Sequence, residues 1–140
     1  MNESKIGSRH LARIKALCAL YNCEVGHTEI IDALENIIEC EEYTPSTNEY
    51  ADVLATGVAD KSLELDELIG MNLTVDWVLE RLTIIDKTIL KMAVYEMKYV
   101  DDVPVAVAID EAVEIAKKYS TDSAPKFING VLGSISKNLI

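Results

Sequence analysis

The cationic chemistry of this sequence is concentrated at its start. Residues 1–15 hold Lys5, Arg9, Arg13 and Lys15 against Glu3, a local charge of +3. Arg9 and Arg13 stand four apart, so on a helix they face the same way. Such a face is either an ordinary solvated surface or a place to hold RNA phosphates. The rest of the chain is acidic. Residues 16–85 carry 15 acids against Lys61 and Arg81, a local −13, residues 86–140 sum to −1, and the whole chain to −11. That balance argues against a general nucleic-acid binder. A basic arm on an acidic body restricts any RNA footprint, because the body repels phosphate elsewhere.

Other chemistries find little support. Cys18, Cys23 and Cys40 are odd in number and match no zinc spacing. Cys18 falls on an apolar helical stripe and is expected to act as a small hydrophobe. Asp110, Glu111 and Glu114 cluster, but no His or further carboxylate frames a metal site around them. They read as a solvated face or as helix–helix contacts. No Ser-His-Asp set, Cys-His pair or phosphate loop stands out. The expectation is therefore no enzyme, no metal and no cofactor.

The elements that must position the basic arm are helical. A chain of 140 residues, 49% hydrophobic, sustains a core in one domain or in two small halves. Gly and Pro are few and β-branched runs short, so the expected class is all-α. No apolar run reaches 18 residues, so no transmembrane helix is expected. Residues 1–8 are polar and lack the apolar region of a signal peptide. The expected compartment is the cytoplasm.

Seven helical segments can be read. The first runs from Ser8 to Val25 with Leu11, Ile14, Leu17, Cys18, Tyr21 and Val25 as its stripe, and Gly26 stops it. The second starts at Thr28 and buries Ile30 or Ile31, Leu34, Ile37 and Ile38. Ser46 and Glu49 have capping-box spacing and open one long third helix that ends at Gly70. Thr74 caps a short segment with Trp77 and Val78, Trp77 being read as a buried residue between the halves. A second capping box, Thr83 to Asp86, starts a helix through Ile85, Ile89, Met92, Ala93 and Met97. Pro104 suits the first turn of the next helix, which ends near Tyr119 with Lys117 and Lys118 in its last turn. Ser123 caps the last helix, with Pro125 in its first turn. The expected halves are about 1–70 and 71–140, joined at 70–74.

The last helix carries Lys126-Phe127-Ile128-Asn129-Gly130-Val131-Leu132. Gly130 and Gly133 lie inside a clean apolar period, and each costs about 1 kcal/mol relative to Ala. That expense predicts close approach of a neighbouring helix. The string resembles the last helix of the NusB family of bacterial transcription antitermination factors. Three further stretches resemble the family, in order. They are Arg9-His10-Leu11-Ala12-Arg13 leading to Ala19-Leu20-Tyr21, the run from Asp86 to Met97, and Val103-Pro104 followed by Ala108 to Lys117.

The resemblance implies an all-helical protein of two packed subdomains with a non-enzymatic role. It implies binding of a short single-stranded boxA element in RNA, together with the ribosomal protein NusE. That pair joins an antitermination complex on RNA polymerase and supports ribosomal RNA synthesis. Carried over position by position, the RNA-binding residues are Lys5, Arg9, Arg13, Tyr21, Lys126 and Phe127, and the partner-binding residues are Arg81 and Asp86. These types suit the task, since single-stranded RNA is held by cations on phosphates and by bases stacked on aromatic rings. His10 and Leu11 stand where arginines are common in some members, which predicts lower affinity and a shallower salt dependence. The −13 region would steer a basic partner electrostatically. A rival reading is a helical protein-interaction module or homodimer whose RNA binding is weak or lost. Tyr21 and Phe127 could equally be core residues, and Arg9 with Arg13 a solvated face.

Overall fold

In the computed structural model of the protein, the described residues are 5–37, 42–74 and 79–139. They form seven α-helices, a short 3₁₀ turn and no strand, as the all-α expectation requires. The chain divides into two compact units, Met1–Asp60 and Lys61–Ile140. The division falls about ten residues before the expected joint. The expected segment with Trp77 and Val78 lies outside the described residues.

The first unit contains α1 (Lys5–Gly26), α2 (Ile30–Glu35) and α3 (Pro45–Asp60), with α1 packed chiefly along α3. Its core differs from the stripe of large side chains expected on α1. Ala12, Ala16 and Ala19 are fully buried, as are Ala51 and Ala55 on α3, while Val25 is exposed. Small side chains let two helix axes approach closely. Burying them turns Cys18 and Tyr21 outward, so Cys18 is exposed and not a core hydrophobe. Leu17, Leu20, Leu34, Leu54 and Val58 fill the remaining core. Each apolar side chain of that size stabilises by about 1.5–3 kcal/mol when buried. Ser8 and Thr47 close the seam with a buried hydroxyl–hydroxyl hydrogen bond of 2.8 Å.

Caps depart from expectation in instructive ways. Helix α1 ends at Gly26, but the left-handed residue after it is His27, which takes φ 55°, and the Thr28 N–H returns to the Cys23 carbonyl at 3.2 Å. That is the Schellman pattern, with a His in the left-handed position that favours glycine. Thr44, not Ser46, caps α3: its Oγ1 accepts the Thr47 N–H at 3.1 Å, and Pro45 takes the first helical position.

The second unit contains α4 (Ser62–Met71), the 3₁₀ turn Leu79–Arg81, α5 (Ile84–Tyr99), α6 (Val105–Tyr119) and α7 (Ala124–Asn138). The long third helix expected from the sequence is two helices, α3 and α4, with Lys61 between them. No Gly or Pro marks the break, and the apolar period runs through it from Val58 to Leu65. Helix α5 is central, packed against α4, α6 and α7. Ile89, Leu90, Met92, Ala93 and Val94 are all buried, covering more than one face. Thr83 caps it as expected, accepting the Asp86 N–H at 3.1 Å. On α7 the buried stripe is Ile128, Val131, Leu132 and Ile135.

Polar contacts fasten α4 to α5. Lys91 donates to the Ser62 hydroxyl at 2.6 Å and pairs with Asp66 at 3.3 Å. Lys98 Nζ and the Tyr99 hydroxyl both donate to the Glu64 carboxylate. Those bonds, Lys98 first, hold the Glu64 carboxyl below its usual range. The same bonds raise the Lys98 ammonium and the Tyr99 phenol.

The glycines of α7 do not serve close packing. A Cβ built at Gly130 or Gly133 would meet nothing within 4 Å, and neither has positive φ. Gly130 and Asn129 are exposed. Gly130→Ala is therefore expected to raise stability by about 0.5–1 kcal/mol, through the lower entropy of the unfolded chain and better helix propensity. Thermal melting followed by circular dichroism checks this. A lower melting temperature would show that the glycine has a role in the fold after all.

Candidate nucleic-acid interface

Helix α1 carries the basic residues of the first unit, and α3 decides which of them reach the surface. Arg9 is half-buried, with its guanidinium carbon 4.3 Å from the centroid of the Tyr50 ring. Arg13 lies 5.9 Å from the same ring and is only 4% exposed. Lys15 is also buried, donating to Asn48 Oδ1 at 2.7 Å and lying 5.3 Å from the Tyr43 ring. The expectation that Arg9 and Arg13 share one side of the helix is met, since both face Tyr50. Arg13, expected to contact RNA, offers little surface to solvent. The Ala-lined seam draws α1 so close to α3 that the middle of the helix is enclosed. Lys5 begins α1, on the first helical turn.

Tyr21 is 37% exposed, so it is not among the buried core residues. It lies past the enclosed stretch of α1, on the side opposite the alanines.

In the second unit, the first turn of α7 alternates sharply. Ala124 is buried, Lys126 exposed, Phe127 half-buried and Ile128 fully buried. Pro125 occupies the first turn as expected. Ser123 holds the N-cap position, but its side chain makes no cap hydrogen bond and lies 3.4 Å from Thr121 Oγ1. The helix anchors through Ile128 and leaves Lys126 outward with Phe127 at the boundary.

The two expected partner residues separate. Arg81 is exposed on the 3₁₀ turn. Asp86 is 9% exposed and accepts the Ser120 hydroxyl at 2.6 Å. Its carboxylate therefore ties the start of α5 to the end of α6. Capping-box spacing does not reveal that contact. Among the described residues no group of three His, Cys, Asp or Glu side chains is placed to hold a metal ion, and no helix is long and apolar enough to cross a membrane.

Sequence reasoning missed Tyr50 as the ring beneath both arginines. Its burial at a helical period was legible. Its pairing with residues about forty positions away was not.

The sequence model of the NusB family matches residues 10–137, nearly the whole described chain. The chain belongs to the NusB family. The transcription antitermination protein NusB of Geobacillus kaustophilus is 44% identical over 131 residues, spanning 94% of this chain and 97% of that protein. The Bacillus subtilis protein of the same name is 39% identical over 131 residues, 94% of this chain and 96% of its own length. Among solved structures, T. maritima NusB superposes with a TM-score of 0.87 at 34% identity, covering 98% of this chain and 93% of that one. A complex described as antitermination factors NusB and NusE with dsRNA contains a chain with TM-score 0.76 at 26% identity, covering 94% and 97%. NusB-family membership accounts for the four sequence stretches and for the all-helical architecture together.

Proposed function

We propose that this protein is a transcription antitermination factor that holds boxA-type single-stranded RNA together with a NusE ribosomal protein. In this reading it joins the antitermination complex on RNA polymerase and supports ribosomal RNA transcription. It acts in the cytoplasm as an adaptor, not as an enzyme. The observation that carries the reading is family membership across residues 10–137. Two features of the chain support it. The first is that Arg9, Tyr21, Lys126 and Phe127 remain at or near the surface, two in each unit. Cations and rings of this kind are what unstacked RNA needs. The second is that residues 16–85 carry a local −13, which would speed association with a basic ribosomal protein. Lys5 and Arg81 complete the proposed RNA and partner contacts.

One observation favours the rival reading. Arg13 and Lys15 are 4% exposed and so are withdrawn from phosphate. A helix so depleted would suit an interaction module or homodimer with weak RNA binding. A titration separates the two. Fluorescent boxA-type RNA, a scrambled strand and a duplex are each titrated with the protein alone and with NusE, at two salt concentrations. The proposal expects ternary binding to boxA-type RNA at least about tenfold tighter than to the scrambled strand, within the range a few base contacts supply. No preference in the presence of NusE would favour the module. Equal or tighter duplex binding would overturn the single-strand reading.

A further inference from the structure

We propose that Tyr50 is a positioning residue for the RNA contact, holding the Arg9 guanidinium in its binding place before RNA arrives. The inference rests on the RNA reading above. Tyr50 is 8% exposed on α3, with Arg9 4.3 Å and Arg13 5.9 Å from its ring centroid. The seam beside the ring is closely packed. The alanines at 12, 16, 51 and 55 are fully buried where α1 meets α3. Ser8, the neighbour of Arg9, is bonded to Thr47, one turn before Tyr50, at 2.8 Å. Register between the two helices is thus pinned beside the cation.

The physical consequence concerns entropy and charge placement. An arginine loses much rotamer freedom when one position is imposed on it. A ring already in contact imposes that position in the free protein, so RNA binding loses less. The ring attracts the cation through its quadrupole. Arg13, enclosed at 4% exposure and 5.9 Å from the same ring, then acts as a second clamp and not as a phosphate ligand. One ring therefore divides the labour between two arginines that look equivalent in sequence.

The test is a double-mutant cycle on RNA affinity in the presence of NusE, using Tyr50→Leu, Tyr50→Phe and Arg9→Ala. Tyr50→Leu is expected to weaken binding about three- to tenfold, the scale of a cation–ring contact. Tyr50→Phe keeps the ring and should stay within about twofold of the wild type. In the Arg9→Ala background, Tyr50→Leu should add less than about twofold, because the residue it positions is gone. An undiminished effect in that background would overturn the inference and leave Tyr50 merely structural. Wild-type binding with no loss in Tyr50→Leu would overturn this inference alone. A wild type without preference for boxA-type RNA would overturn the RNA reading as well. Because Tyr50→Leu removes a buried ring, the free wild-type protein supplies a second measurement. The Arg9 Nε–H should show an upfield ring-current shift and backbone-like order in ¹⁵N relaxation. A mobile, unshifted Arg9 would overturn the inference without any variant.

Discussion

Tyr21→Ala is expected to weaken binding of boxA-type RNA by about 5- to 150-fold and to leave the fold intact. The range follows from the worth of one stacked base, about 1–3 kcal/mol, with 1.4 kcal/mol per factor of ten. Tyr21 suits the test because it is 37% exposed, whereas the alanines on the opposite side of α1 are fully buried. A surface substitution of this kind changes stability by less than about 0.5 kcal/mol, so lost affinity is not lost protein. Stacking is insensitive to salt, while cation contacts are not. Tyr21→Ala should therefore lower affinity by the same factor at both salt concentrations. Arg9→Ala should instead reduce the slope of log affinity against log salt by about 0.7, the single-strand value per phosphate contact. Tyr21→Phe keeps the ring and should bind as the wild type does. Unchanged RNA affinity in Tyr21→Ala, measured by fluorescence anisotropy with NusE present, would remove stacking on Tyr21 from the mechanism.

How much of this was legible in the sequence differs by level. Helices were legible because apolar residues recur at their period. The start of α5 was too, because Thr83 caps through a local three-residue spacing. The α3–α4 break was not, because Lys61 is neither Gly nor Pro and the apolar period continues from Val58 to Leu65. The stripe on α1 was misread for a physical reason. Periodicity weighs large apolar residues, yet the tightest seam is built from Ala12, Ala16 and Ala19, the residues with least to bury. Rotating that face inward is what turned Tyr21 and Cys18 outward.

The candidate site follows the same division. Residue types and family resemblance located the basic arm and the Lys126-Phe127 pair. They could not rank the cations, because rank depends on distance to α3. Arg9 and Arg13 are equivalent by spacing and unequal by burial. Lys15 is consumed by Asn48, 33 positions away. Asp86 read as a capping and partner residue, and its carboxylate serves Ser120. The glycines of α7 signalled close packing through their cost, and open space surrounds them. Local cost says that a residue is unusual. It does not say which neighbour, if any, explains it.

That distinction makes opposite effects two residues apart on α7 the sharpest check on the fold. Leu132→Ala is expected to destabilise the protein by about 2–5 kcal/mol, where Gly130→Ala stabilises it. Leu132 is fully buried, on the stripe with Ile128, Val131 and Ile135 by which α7 packs against α5 and α6. Truncation removes the transfer free energy of the lost methyl and methylene groups and leaves a cavity that neighbours on three helices cannot fill without moving. Against a typical stability of about 5–15 kcal/mol, such a loss is a large fraction of the whole. In urea, with a slope near 2 kcal/mol per molar, the midpoint should fall by about 1–2.5 M. The functional consequence is indirect. Lys126 and Phe127 ride on the first turn of the same helix, more than a turn from Leu132. Where the variant remains folded, its RNA affinity should match the wild type, and binding should fail only as the helical signal at 222 nm is lost. RNA affinity that drops while α7 is still folded would mean that Leu132 shapes the binding surface itself. A stability loss under about 1 kcal/mol would mean that the α5–α6–α7 core is looser than full burial of this residue implies.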